Sequence, residues 1–285
     1  MEFLGVGKPV NLIQPIVSVL IPAYQHVKYI EECLNSVLNQ ETIFPYEILI
    51  GEDDSNDGTR ELCISYAKDN QDKIRLFLRN GKEKISMFGR KSGRLNHLGL
   101  YGSARGKFIC ICDGDDFWID KYKLQKQVEI LEKYQNVSLC ISNTLINGKK
   151  GQLQLPESFH LFSKNELKRN NYLGHISGWM MRNFMRDFLQ NPIISKPVVL
   201  DRSLFAFQKN KGDIIAIPDY TSYYRIHSNG VYQSQHRLKN NRLLYKSNWY
   251  LFRYIHKDLT LLVRSMLYTL RREFVILFSI LFKRS

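Results

Sequence analysis

From residue 16 to residue 142, short β-branched apolar runs alternate with segments of helical periodicity, and this alternation restricts the fold more than any other feature of the chain. "IVSVLIP" (16–22), "YEILIG" (46–51), "KIRLFL" (73–78), "KFICIC" (107–112) and "VSLCIS" (137–142) read as strands. Between them, residues 27–40 carry Ile30, Cys33, Leu34, Val37 and Leu38 at helical spacing. Residues 57–70 open on Asp57 as N-cap and set Leu62, Tyr66 and Ala67 on one side. Residues 93–106 read as a helix closed by Gly106, and residues 120–134 as an amphipathic helix. Strand alternating with helix implies an α/β fold: a mostly parallel sheet with helices on both faces. Such sheets bind ligands beyond the C-terminal ends of their strands. Pro22–His26, Glu52–Asp57 and Asp113–Asp116 all fall there, so three polar clusters are expected to converge on one site.

After about residue 150 the pattern loosens. "HISGWMMRN" (175–183) reads as a strand entering a helix, "LDRSLFAFQKNKG" (200–212) as a helix closed by Gly212, and "DIIAIP" (213–218) as a strand. "YTSYYRIHSNGVY" (220–232) is an aromatic strand leading to a loop, and residues 233–285 read as mainly helical. The expected division is a sheet domain over 1–230 and a basic helical extension over 231–285. The chain's net charge of +14 is concentrated in that extension, where eleven Lys and Arg face only Asp258 and Glu273, a net +9. Such an excess points to an anionic partner: a membrane surface, nucleic acid or a phosphorylated substrate. In 258–285, Leu267, Leu270, Phe274, Leu277, Phe278 and Leu281 line one side of a helix, either packed on the domain or set on an anionic inner leaflet.

Five cysteines without framework spacing read as small buried thiols in a reducing compartment. Cys110-x-Cys112 lacks zinc spacing, and its two side chains should point to the same face. The N-terminus shows no secretory signal pattern, and no window reaches the ~18 apolar residues of a spanning helix.

The sharpest chemistry lies in "ICICDGDDFW" (109–118), where Asp113, Asp115 and Asp116 crowd the end of a buried strand. Like charges this close repel unless a cation joins them. A hard divalent ion, Mn²⁺ or Mg²⁺, takes one or two carboxylates and completes its shell with substrate phosphates. Gly114 lets backbone or ligand approach closely. An isolated D-x-D is more often a solvated acidic turn, with Asp116 capping the next helix. Here a second acidic cluster, "EDDSNDGT" (52–59), ends another strand, and its adjacent carboxylates can accept hydrogen bonds from a base N–H or a ribose hydroxyl. The chain lacks G-x-G-x-x-G after its first strand, G-x-x-x-x-G-K-[ST] and G-x-S-x-G. Their absence disfavours dinucleotide-type, P-loop and serine-hydrolase sites.

Taken in order, "VSVLIPAYQHVKYIEECLNSVLNQ", "YEILIGEDDSNDGT" and "ARGKFICICDGDDFW" followed by "KLQKQVEILE" resemble the family 2 glycosyltransferases of GT-A fold. The resemblance covers about residues 16–142 and, more weakly, 175–232. It implies that a nucleotide-diphosphate sugar binds at the strand ends. Pro22, Ala23 and Tyr24 would line the nucleotide pocket. Asp54 would contact the base with Glu52 and Asp53 beside it. Asp113, Gly114 and Asp115 match the D-x-D turn, with Asp115 the better metal-ligand match. "LDRSLF" is similar to the segment that carries the family's general base, which makes Asp201 the candidate, against a plain N-cap role. "YRIHS" (224–228) resembles the family's "YRxH" segment. There His227 is a third metal ligand, a diphosphate contact or a structural hydrogen bonder, and Arg225 holds the loop, the leaving phosphate or a salt bridge. Gln25 stands where the family has Asn, and Arg94 and Asn96 are weaker donor-site candidates.

The expected activity is inverting, metal-dependent sugar transfer to a hydroxyl of a glycan or lipid-linked glycan, in the cytoplasm or on the inner face of the membrane, with no nucleic-acid partner. A nucleotidyltransferase, or a sugar- or nucleotide-binding module without chemistry, remains the alternative.

Overall fold

A computed structural model describes residues 2–3, 14–84, 86–87, 90–150, 155–169, 172–227 and 237–281. The strands are β1 (Val17–Ala23), β2 (Tyr46–Glu52), β3 (Ile74–Leu78), β4 (Phe108–Ile111), β5 (Val137–Ile146), β6 (Trp179–Arg182) and β7 (Asp213–Tyr224). They lie side by side in the order β3-β2-β1-β4-β6-β5-β7, with Glu2–Phe3 and His160–Phe162 as short edge strands. β3, β2, β1 and β4 are mutually parallel. β6 enters antiparallel between β4 and β5, and β7 returns parallel to β5. The chain therefore runs outward from β1 to β3 and then crosses back to β4 on β1's other side. This reversal opens a crevice at the C-terminal ends of β1 and β4.

Each strand is apolar on both sides because helices cover both faces. Val19, Ile21, Ile48, Ile50, Cys110 and Met180 pack on one side with α1 (Ile30–Leu38), α2 (Thr59–Asp69) and α4 (Lys123–Lys133). Leu20, Leu49, Ile109, Ile111, Trp179 and Met181 pack on the other with α3 (Arg94–Ser103) and α5 (Leu200–Lys211). Cys110 and Cys112 share the first side, and all five cysteines are buried free thiols.

Four local expectations change. The helix after β2 begins at Thr59, beyond Gly58 at φ 103°, while Asp57 still accepts from the Thr59 amide at 3.0 Å. α3 ends at Ser103, and Gly106 does not close it. A side chain at 106 would stand 2.5 Å from the Ser18 amide nitrogen, so glycine is required there for a close pass under β1. "HISG" forms a tight turn, Ile176–Gly178, ahead of β6, and the helix follows only at Met185–Gln190. The strand expected at 213–218 and the aromatic strand expected to open 220–232 are one, β7, running through Pro218 where the register with β5 shifts between Ala216 and Tyr220. A proline is tolerated at such an irregularity because no ladder hydrogen bond is lost. The part of 220–232 from residue 228 on lies outside the described residues. Beyond it come α6 (Arg237–Leu251), a π-helical turn at Phe252–His256 and α7 (Leu259–Leu281).

Candidate active site

β1 delivers Pro22 and Ala23 buried at its end and Tyr24 exposed just past it. The next residue, Gln25, holds a left-handed φ of 58°, unfavourable for a residue with a Cβ. Ser55 Oγ and Asn56 Oδ1 fix it, at 3.0 Å from its amide and 2.6 Å from its side-chain nitrogen. β2 ends in Glu52, which is fully buried; Ser55 N donates to its Oε1 at 2.7 Å and Arg60 pairs with its Oε2. The same Arg60 reaches Asp54 Oδ1 at 3.4 Å. Asp54 also holds a left-handed φ, 64°, and its Oδ2 accepts from the Gly81 amide at 2.9 Å. Asp53 is buried against Lys84, 3.2 Å away, and desolvation pushes its carboxyl upward although Lys84 pulls the other way. The Lys84 ammonium sits 3.6 Å over the Tyr24 ring, joining the two strand ends by a cation–π contact.

The turn after β4 is pinned to β1 beyond the strand itself. Cys112 N donates to Leu20 O and Gly114 N to Pro22 O, both at 3.0 Å. A side chain at 114 would meet His26 Nδ1 at 2.8 Å and Ile30 Cδ1 at 3.0 Å. The turn therefore presses Asp113 and Asp115 against the β1 end. Desolvation in the crevice, then Asp115 and then Asp201, push the Asp113 carboxyl up to about 7. Asp115 Oδ2 lies 3.0 Å from His227 Nε2 and 3.6 Å from His26 Nε2. The Nδ1 atoms of both histidines are buried without a hydrogen-bond partner among the described residues. Asp116 is fully buried and serves the fold: it accepts from Ser177 Oγ at 2.7 Å and from the Arg225 amide at 3.1 Å. Arg225 in turn donates to Asp115 O at 2.8 Å, stacks 4.5 Å over Phe117 and pairs with Glu32. It thus holds the 225–227 loop against the acidic turn.

Asp201 sits in the first turn of α5, with Val199 as N-cap and no side-chain cap bond. It accepts from the adjacent Arg202 amide at 2.7 Å and from the Tyr172 hydroxyl. Desolvation raises its carboxyl despite Arg202. The sheet therefore brings carboxylates from residues 113, 115 and 201 into one electrostatic neighbourhood. No Lys or Arg ion pair reaches any of the three among the described residues, nor do three His, Cys, Asp or Glu side chains there come together in a group that could hold a metal ion. The donor types at Asp113, Asp115 and His227, oxygen and imidazole nitrogen, still suit a divalent ion that keeps positions for substrate or water.

Arg94 and Asn96 belong to the fold instead of a donor pocket. The Arg94 guanidinium donates to Val198 O and Ile194 O at 3.0 and 2.9 Å, and Asn96 donates to Gly51 O at 2.6 Å. Both are buried. Conversely Arg60, Lys84, Tyr172 and Ser177 stand at the site without having been singled out, and His26 was placed there only as the end of the Pro22–His26 cluster.

The model of glycosyl transferase family 2 matches residues 18–191. An uncharacterized protein of Mycobacterium tuberculosis is 25% identical over 227 residues, 76% of this chain and 60% of its own length. The Escherichia coli UDP-Glc:alpha-D-GlcNAc-diphosphoundecaprenol beta-1,3-glucosyltransferase WfgD is 27% identical over 176 residues, 61% of this chain and 63% of its own length. The chain thus spans about 60% of the length of these curated relatives. Among solved structures, S. aureus TarS 1-349 in complex with UDP-GlcNAc is similar with a TM-score of 0.63 and 17% identity, over 91% of this chain and 72% of the other. Mannosyltransferase PcManGT from Pyrobaculum calidifontis, in complex with GDP-Man and Mn²⁺, gives 0.63 and 17%, over 95% and 76%. At these identities the likeness is one of fold.

Proposed function

The chain belongs to glycosyl transferase family 2 and has a GT-A fold, and from that premise we propose that it is an inverting, metal-dependent enzyme moving a sugar from a nucleotide-diphosphate sugar to a hydroxyl of a glycan or lipid-linked glycan. One observation carries this reading: Asp113 and Asp115, at the end of β4, have no Lys or Arg ion pair among the described residues, and Asp201, from a separate part of the chain, is near enough to help push the Asp113 carboxyl up. A fold retains such a cluster where a cationic ligand or a proton transfer uses it.

On the donor side, Pro22, Ala23 and Tyr24 face the nucleotide, and Asp54 receives the base or ribose, with Glu52 and Asp53 fixing its backbone through Arg60 and Lys84. Asp113 and Gly114 border the diphosphate. Asp115 and His227, with Asp113 nearby, would hold Mn²⁺ or Mg²⁺. When bound, that ion offsets the charge that grows on the departing nucleoside diphosphate. Asp201 takes the proton from the acceptor hydroxyl as its oxygen attacks the anomeric carbon. The bond from that carbon to the phosphate oxygen breaks with its electron pair, and the anomeric configuration inverts. Tyr172 orients the Asp201 carboxylate, and desolvation raises its basicity.

The relatives support the choice of substrates. WfgD is named for UDP-Glc and a diphosphoundecaprenol-linked acceptor, and the solved structures hold UDP-GlcNAc and GDP-Man. Five free thiols suit the reducing cytoplasm, and the enzyme would work there on the inner face of the membrane. Release of radiolabelled sugar from a panel of nucleotide sugars, with and without EDTA, tests the reading. Metal-dependent turnover of at least one donor is expected. Donor binding without turnover under any metal would overturn it in favour of a binding module.

A further inference from the structure

The last helix, α7, carries more large apolar side chains on its outer side than on its packed side. In α7 the packed side carries Leu261, Leu262, Ser265, Thr269 and Ile276. The outer side carries Leu259, Val263, Leu267, Leu270, Phe274 and Phe278, at steps of three and four residues, each between 49% and 71% exposed. α6 buries Leu244 and Leu251, and it also meets α7 through amides and hydroxyls. Asn241 donates to Thr269 O at 2.8 Å and Asn248 to Ser265 O at 3.3 Å, and Asn241, Asn248, Ser265 and Thr269 are all buried. The outer side of α6 shows Arg242, Tyr245, Lys246 and Trp249.

A helix pair whose surroundings are water buries its large apolar side chains and exposes its polar ones. The reverse arrangement, with small polar residues between helices and large apolar ones outside, suits an apolar medium. No described helix is long and apolar enough to cross a membrane. Arg264 and Arg271 stand exposed beside the apolar stripe, and the Tyr, Trp, Lys and Arg side of α6 has the composition of a membrane–water interface. A helix with these features lies along a bilayer surface, stripe downward.

We propose that the helical pair Arg237–Leu281 docks on an anionic phospholipid bilayer, with the Leu267–Phe274 stripe at the acyl boundary and the flanking arginines at the headgroups. A second copy of the chain fits the stripe less well. Isologous pairing would set the arginines of both copies beside one another, and Glu273 is already engaged by Arg242 at 3.4 Å. Phospholipid suits the stripe and the charges together. The pair is tied to the site: the Val199 amide, two residues before Asp201, donates to Ser247 Oγ of α6 at 3.0 Å. Docking therefore brings a bilayer to the side of the general base, which deepens the lipid-linked acceptor of the proposed function and rests on it for that link.

The full chain is mixed with vesicles of phosphatidylcholine alone or containing phosphatidylglycerol, sedimented, and scored for bound protein. Binding to the phosphatidylglycerol vesicles is expected, weakening as salt rises. The pair Leu267→Glu with Phe274→Glu, at exposed positions that the fold does not need, should lower partitioning on the order of 100-fold. Arg264→Glu with Arg271→Glu should remove the salt-dependent part. Nucleoside diphosphate binding, measured in parallel without vesicles, should be unchanged in both variants. Wild-type protein that stays in the supernatant, or a stripe variant that still sediments, overturns the proposal. So does a dimer that the stripe variant converts to monomer without any vesicle binding. Vesicle binding by a protein that turns over no nucleotide sugar leaves this inference standing and overturns the proposed function instead.

Discussion

Residues 52–54 and 113–116 are both carboxylate runs at the C-terminal end of a parallel strand, yet the fold treats them oppositely. At the first, every carboxylate is paired with a cation: Arg60 spans Glu52 and Asp54, and Lys84 takes Asp53. At the second, Asp113 has no ion pair among the described residues, and Asp115 has only two histidines. Opposite charge within reach stabilises an ionised carboxylate, whereas like charge and desolvation oppose it. The first cluster is therefore complete without ligand, and it shapes a pocket. The second is complete only with a cation or a proton, which is where chemistry that moves charge belongs.

The largest expected effect tests how far the uncompensated region extends. Asp201→Asn should lower kcat by about 10²–10⁴-fold with donor affinity nearly unchanged, the range of a lost general base. The pH profile adds a sign. A base works only when ionised, and the Asp201 pKa is raised by desolvation. Activity should be full above that raised value and fall as the pH drops through it, with the acid limb above the ~3.9 of an ordinary aspartate. The limb should vanish in the residual activity of Asp201→Asn. An unchanged kcat would return Asp201 to the fold and shrink the reactive region to the turn after β4.

Asp115→Asn should cost somewhat less, about 10²–10³-fold in metal-dependent turnover, the size of one lost electrostatic contact to a leaving group. Its circular dichroism should match the parent, since Asp115 fills no core position. Near-normal turnover in Mn²⁺ and Mg²⁺ would show that the second cluster needs no cation at this residue, and the contrast with the first would lose its chemical meaning.

Stability separates the clusters directly. Glu52→Gln leaves Arg60 without its buried partner and should destabilise the protein by about 1–3 kcal/mol in urea unfolding. Asp113→Asn removes one of several crowded like charges and should stabilise the ligand-free protein by about 1 kcal/mol at neutral pH. The same sign for both substitutions would break the comparison.

How much of this could be read before the structure depends on the range of the interaction. Asp113, Asp115, Glu52 and Asp54 were visible because a strand end followed by carboxylates is a local pattern. Lys84 and Arg60, the cations that distinguish the clusters, come from other segments, and nothing in their neighbourhood says which carboxylate each will reach. Ser177 is further still, arriving through β6, an antiparallel strand inserted between β4 and β5. Arg94 and Asn96 were donor-site candidates only through the family resemblance; here they satisfy buried carbonyls of the 194–198 segment and of β2. In α7 the periodicity was correct and its direction was not decidable. A stripe of Leu and Phe marks one side of a helix without saying whether protein or another medium lies against it.

The smallest effect asks whether the first cluster binds ligand at all or only stabilises the strand end. Asp54 is its most open member, with a side chain 45% exposed, and its pairing with Arg60 at 3.4 Å contributes little in water. Asp54→Ala should still cost about 1 kcal/mol, because alanine tolerates the left-handed φ less well and the Gly81 amide loses its acceptor. If its carboxylate accepts a hydrogen bond from the base or ribose, the same change should weaken nucleoside diphosphate binding by about 1 kcal/mol, roughly fivefold in Kd, in a calorimetric titration. Asp54→Asn is the discriminating companion, because the amide oxygen can still accept from Gly81 N while the negative charge is gone. Loss of affinity in Ala but not in Asn assigns the contact to hydrogen bonding, and equal loss in both assigns it to charge. Unchanged affinity in both would move the nucleotide away from β2 and leave the first cluster a purely structural counterpart of the second.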